Sequence, residues 1–173
     1  MLEKEKSNPN PNNDKEELQK QAVHYFKEGY QKQMMGELNK AVILYTRSIE
    51  LYPTAEAFTF RGWTYSFMGK YDEAISECHK AIETDPDFGN PYNDIGAYLI
   101  ELEKFEEAIP WLEKAVKAKR YESYCFPHLN LGRICEKKGN YFEAMRCYVS
   151  ALKANPDYAL ARMNLRKLQA LMN

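Results

Sequence analysis

The stretch AEAFTFRGWTYSFMGKYDEAISECHKAIETDPDF, residues 55 to 88, holds two helical patterns back to back. Phe58, Tyr65 and Met68 lie seven and three residues apart with Gly62 between them, which places all four on one stripe of a helix. After Gly69 and Lys70 a second stripe begins: Tyr71, Ala74, Ile75, Cys78, Ala81 and Ile82, at i, i+3, i+4, i+7, i+10 and i+11. Gly69 suits the left-handed residue that closes the first helix. Asp85 and Pro86 end the second, because proline lacks a donor and disfavours the helical region for the residue before it. Gly62 and Ala74 are small where two backbones must approach, so the stretch predicts a tightly packed helix pair.

Outward from this stretch the pattern recurs. Gly29, Gly62, Gly96 and Gly132 are spaced by 33, 34 and 36 residues, and Ala41, Ala74, Ala108 and Ala144 keep the same intervals. Gly36, Gly69 and Gly139 form a third series that skips one unit. Two series in step confine every insertion to the segment outside Gly-to-Ala. A period of 20 to 50 residues is the signature of a stacked repeat.

The residues resemble the tetratricopeptide repeat, W-x2-L-G-x2-Y, then A-x3-F, then P. The second unit reads Phe58, Arg61, Gly62, Tyr65, Ala74, Cys78, Pro86; the third reads Tyr92, Ile95, Gly96, Leu99, Ala108, Leu112, with Arg120 in place of the proline. The fourth reads His128, Leu131, Gly132, Cys135, Ala144, Tyr148, Pro156, and the first keeps Gly29, Ala41, Tyr45 and Pro53. The resemblance implies an all-α, right-handed superhelix of antiparallel helix pairs. The expected organisation is a disordered leader over 1–14 and a repeat domain over 15–173. Its units span 22–54, 55–88, 89–124 and 125–158, followed by a capping helix over 159–172. Asp14 is the expected cap of the first helix, extended backwards through Lys15 to Gln21.

Composition narrows the function. Twenty-four Lys and Arg against 25 Asp and Glu leave a net charge of -1, without the cationic surplus that a nucleic-acid binder needs. No apolar run reaches the ~18 residues of a membrane span, and no secretory signal is recognisable at the start, so a cytoplasmic protein without membrane insertion is expected. Cys78, Cys125, Cys135 and Cys147 match neither a CxxC pair nor a zinc framework, and Cys125 is the one expected to be reachable. The histidines His24, His79 and His128 fall on different helices, and no phosphate loop or nucleophile motif is present. No catalytic residue, metal site or cofactor is expected.

The family geometry lines a concave wall with the first helix of each unit. On that wall it places Phe26, Tyr30, Phe60, Trp63 and Phe67 in the first two units, and Asn93, Asp94, Asn130 and Arg133 in the last two. The residues of the carboxylate clamp that grips chaperone C-termini are absent. The expected function is non-catalytic: an adaptor or assembly scaffold, a monomer or weak homo-oligomer, that holds a peptide segment of a protein partner in the groove. Trp63 and its aromatic neighbours would anchor that segment, and the polar residues would orient it. The alternative is a small chaperone, similar to those of secretion systems, masking apolar segments of a client. The chain's own N-terminal region covering the aromatic wall is a further possibility. Charge is divided, with 13 Lys and Arg against 21 acids in residues 1–116 and 11 against 4 in residues 117–173. Two local departures stand out. The insertion around Lys119 to Ser123 predicts a longer loop or extra turn that loosens one junction, and Pro110 predicts a bend inside a helix.

Overall fold

The computed structural model describes residues 11 to 172, with side chains from Asp14 onward. The described residues form nine helices: α1 (Pro11–Met34), α2 (Leu38–Leu51), α3 (Ala55–Phe67), α4 (Tyr71–Thr84), α5 (Asn90–Glu101), α6 (Phe105–Lys117), α7 (Cys125–Lys137), α8 (Tyr141–Ala154) and α9 (Ala159–Leu171). Residues 1–10 of the expected leader lie outside the described residues. The helix already runs at Pro11, so Asp14 sits in the first turn of α1 and is not its cap.

Each helix packs on the next in the chain, and α1, α3, α5 and α7 also touch in series, so the pairs stack as a solenoid. The repeated alanines carry the contact inside each pair. Ala41, Ala74, Ala108 and Ala144 are wholly buried, as are Tyr45, Cys78, Leu112 and Tyr148 one turn further on. A methyl group on Gly96 would stand 2.4 Å from Leu112 Cδ2, and one on Gly132 would stand 2.4 Å from Tyr148. Larger residues there would force the helices of a pair apart. Ala161 and Leu168 of α9 close the end of the stack, and none of the described helices is long and apolar enough to cross a membrane.

The long loop expected after the third unit is present, from Ala118 to Tyr124 between α6 and α7. Its bonds run back to the second unit. Gly89 N–H donates to the Arg120 carbonyl at 3.0 Å and Arg120 N–H donates to the Asp87 carbonyl at 2.9 Å, a two-bond parallel bridge to the loop of the preceding unit. The Arg120 guanidinium lies 4.1 Å from the centre of the Phe88 ring and pairs with Asp85 at 2.6 Å and Glu56 at 2.7 Å. Tyr121 is buried beneath it. The extra residues satisfy their backbone groups on the neighbouring unit, and this turns an insertion into a clasp. Pro110 is the sixth residue of α6, past the turn where its missing N–H would be harmless, and its ring is exposed while Leu112 is buried.

Candidate functional site

The helices α1, α3, α5 and α7 carry two chemistries along their shared face. In the first half, aromatic residues at the fifth, sixth, ninth and thirteenth slots of the first two units meet one another on α1 and α3. Phe60 is the hub: its ring centre lies 5.2 Å from Phe26, 5.8 Å from Tyr30 and 5.6 Å from Trp63, each nearly perpendicular. Trp63 continues to Phe67 at 5.2 Å. Tyr30 and Phe67 remain 43% and 53% exposed, and Phe26, Phe60 and Trp63 are half-buried, so a band of ring surface faces water. Tyr45 of α2 supports Phe26 and Phe60 from behind, its hydroxyl donating to Gln33 Oε1 at 2.7 Å. A second hollow of about 360 Å³ opens on the far side of Phe26, lined by Ala22, Val23 and Tyr52.

In the second half the polar residues bond to one another. Asn93 Nδ2 donates to Asp94 Oδ1 at 3.3 Å, Asn130 Nδ2 donates to Asn93 Oδ1 at 3.2 Å, and Arg133 donates to Asn130 Oδ1 at 3.3 Å and to Glu101 at 3.1 Å. Asn93 and Asn130 are buried by this chain of bonds. Asp94 stands at its end. Burial pushes its carboxyl up to about 7, and the Asn93 hydrogen bond offsets only part of that.

The two halves meet at a pocket of about 240 Å³. Thr59, Phe60 and Trp63 of α3 form one side, Asn90, Asn93 and Asp94 of α5 the floor, and Tyr121 and Phe126 the other side. Of the nine expected site residues this pocket gathers four, Phe60, Trp63, Asn93 and Asp94. Phe26, Tyr30 and Phe67 extend the aromatic band beyond it, while Asn130 and Arg133 extend the polar chain. Tyr121 is not among the expected site residues, because it comes from the inserted loop and not from a repeat position. The only sign of it was the two-residue excess in that interval. Phe126 falls on the wall by its slot and packs on Tyr158 at 5.5 Å.

The remaining reactive side chains do not converge. His24 and His79 are exposed on separate helices, and burial lowers the His128 pKa. Cys125 is buried at the start of α7, against the expectation that it is reachable, because it belongs to the core cluster of Leu129, Tyr148 and Ala161. Cys135 and Cys147 are the partly exposed pair, and burial pushes the Cys147 thiol up to about 12. Among the described residues no group of His, Cys, Asp and Glu is arranged to hold a metal ion.

Three family models, each described as the tetratricopeptide repeat, match residues 55–88, 90–121 and 125–158. The chain is 40% identical over 74 residues to the protein SGT1 homolog of Oryza sativa subsp. japonica, covering 42% of this chain and 20% of that protein. It thus spans about a fifth of that relative's length. Among solved structures, Pseudomonas aeruginosa pilF superposes with a TM-score of 0.82 at 19% identity, over 91% of this chain and 70% of that one. YrrB, described as a TPR protein with an unusual peptide-binding site, superposes with a TM-score of 0.64 at 25% identity, over 91% and 80%.

Proposed function

The chain belongs to the tetratricopeptide repeat family, and we propose that it is a protein-interaction scaffold whose concave wall holds an extended or helical peptide segment of a partner protein. The observation that carries this reading is the exposed aromatic band from Tyr30 through Phe60 and Trp63 to Phe67, continuous with the pocket at Asp94. Apolar ring area left in water is unfavourable by ~25 cal/mol per Å². Contiguous patches of this kind mark interaction surfaces, with Trp and Tyr the commonest anchors. The likeness to YrrB, a TPR protein described as having an unusual peptide-binding site, supports a peptide as the ligand.

The test is selection of binders from a displayed random-peptide library on the full chain, followed by titration of the selected peptides against Trp63→Ala. Trp63 is half-buried and its ring neighbours, Phe60 and Phe67, are themselves wall residues, so the variant is expected to keep its helix content and unfolding temperature. Peptide affinity falls by at least ~2 kcal/mol, about 30-fold. Peptides that bind wild type and variant equally would move the binding site off this wall. A chaperone reading predicts instead that selection yields apolar sequences with no fixed spacing.

A further inference from the structure

We infer that the pocket between the two halves of the wall is a receptor for one cationic side chain, arginine or lysine, of the bound segment. The inference rests on the peptide-binding reading above and specifies the chemistry of its central contact. The pocket's size comes first. At about 240 Å³ it is smaller than the ~300 to 1,000 Å³ of sites for drug-sized ligands, and so accommodates one side chain.

Its lining then selects the charge. Among the described residues, the Asp94 carboxylate has one hydrogen-bond partner, the Asn93 amide at 3.3 Å, against room for about four. Among the described residues no Lys, Arg or His forms an ion pair with it; burial raises its carboxyl pKa and the Asn93 bond lowers it. Arg133, the basic residue on the facing helix, is engaged by Asn130 and Glu101. The Thr59 hydroxyl spends its proton on the Ala55 carbonyl at 2.7 Å and so offers the pocket only lone pairs. Asp94 is thus the one charged group among the lining residues, and Thr59 adds a further acceptor to them. Apart from Asn90 the remaining lining is aromatic: Phe60, Trp63, Tyr121 and Phe126. Ring faces attract cations, more so where water is excluded.

An anionic ligand would meet Asp94 at close range with nothing to neutralise it. An apolar one would complete the burial of an uncompensated carboxylate. A guanidinium or ammonium group pairs with Asp94, donates to Thr59 and lies against the rings. The acidic balance of residues 1–116 attracts such a ligand from a distance.

The experiment uses the full chain and the indole N–H resonances of its two tryptophans. Trp63 lines the pocket, and Trp111 on α6, packed with His79 and Tyr92, is the internal control. The probes are acetyl-arginine amide, acetyl-lysine amide and the neutral near-isostere acetyl-citrulline amide. The expected result is a saturable shift of the Trp63 signal with at least one cationic probe, binding at least tenfold tighter than citrulline, with Trp111 unmoved. Asp94→Asn abolishes that preference while its circular dichroism and Trp111 signal stay those of the wild type. Equal response to citrulline, an unchanged preference in Asp94→Asn, or no response of Trp63 to either cation would each overturn the inference. Library peptides that depend on Trp63 but lack a basic residue would overturn it and leave the groove reading standing. Failure to obtain any Trp63-dependent peptide would count against the groove reading itself.

Discussion

The second and third units superimpose slot for slot at a shift of 34 residues, yet they are built on different chemistry. Phe60 becomes Asp94 and Trp63 becomes Ala97, so an aromatic wall gives way to a polar one. Arg61 and Glu77, an ion pair in the second unit, become Ile95 and Trp111. Gly69 becomes Glu103, and Pro86 becomes Arg120. What survives is the small-residue pair, Gly62 with Ala74 and Gly96 with Ala108, which sets how closely the helices approach. The repeat thus fixes a backbone, and every other slot is free to stabilise the stack or to present chemistry. The slots at which the two units differ most are the ones to exchange.

The largest effect is expected at the ion pair that the third unit lacks. Arg61 and Glu77 have side chains only 12% and 6% exposed, approach to 2.6 Å, and are extended by Thr46 at 2.9 Å and Lys80 at 2.7 Å. Glu77→Ala leaves the Arg61 guanidinium buried without its carboxylate. Removing one partner of such a pair costs ~3 to 5 kcal/mol, while replacing both with apolar residues is often neutral or stabilising. Denaturant unfolding should therefore show Glu77→Ala as severely destabilised and Arg61→Ile with Glu77→Leu close to wild type. A double variant as unstable as the single one would mean that the pair is required for the second unit and is not merely tolerated there.

Asp94, the counterpart of Phe60, gives the next effect, and its sign depends on pH. Burial raises its pKa from 3.8 to about 7, so the folded chain holds that proton more tightly than the unfolded one. Stability is then lost as pH rises from about 4 to about 7, and the full penalty stands above 7. The titratable groups around it, Cys78 of α4, Tyr98 of α5 and Tyr121 of the inserted loop, stay neutral in this window because burial pushes each of them up. Three units correspond to ~4 kcal/mol, and the opening of Asp94 to the groove reduces this to about 2 kcal/mol. Asp94→Asn should match the wild type at pH 4 and exceed its unfolding free energy by about 2 kcal/mol at pH 8. No gain at pH 8 would mean that water in the groove already solvates the carboxylate.

These two sites mark what the sequence makes legible. The helices, their pairing and the aromatic band follow from periodicity and slot, because each depends on a residue's own type at a known position. The partnership of Arg61 with Glu77 does not, since Arg61 occupies a slot where the family pattern has Leu, and its partner lies 16 residues away on another helix. Nor does the Asp94–Asn93–Asn130–Arg133 chain, in which side chains placed on the wall as free donors are committed to one another. Tyr121 escapes for a related reason: an insertion has no slot, and its destination is decided by the hydrogen bonds of the loop it meets.

That loop supplies a smaller test. Arg120 stands in the proline slot and joins the third unit to Glu56, Asp85 and Phe88 of the second. Its side chain is 46% exposed, so its ion pairs contribute modestly. Arg120→Ala should cost about 1 kcal/mol by unfolding. Arg120→Pro, which imitates the second unit, should cost more, because it also removes the N–H that donates to Asp87 at 2.9 Å. If alanine proves as damaging as proline, the clasp is made by the guanidinium and not by the backbone bridge.

The smallest effect is expected at the turn between the two helices of a pair. Gly36, Gly69 and Gly139 hold φ near +75° in the first, second and fourth units, and in the third the same turn is made by Glu103 at φ 59°. The hydrogen bonds are the same: Gly69 and Lys70 donate to Ser66 and Tyr65, and Glu103 and Lys104 donate to Ile100 and Leu99. The turn geometry is therefore dictated by the helix pair, and Glu103 accepts a left-handed conformation that costs a side-chain-bearing residue ~1 to 2 kcal/mol. Glycine would relieve this strain but would add ~0.4 to 1 kcal/mol of backbone entropy to the unfolded chain. Glu103 is exposed, so no packing is lost with its side chain. The balance predicts that Glu103→Gly stabilises the protein by about 0.5 kcal/mol, an increase in Tm of ~1 to 2 °C for a chain of this size. Gly69→Ala, the reverse exchange in the second unit, should destabilise by a comparable amount. A Glu103→Gly variant less stable than the wild type would show that Glu103 contributes an interaction that outweighs its backbone strain.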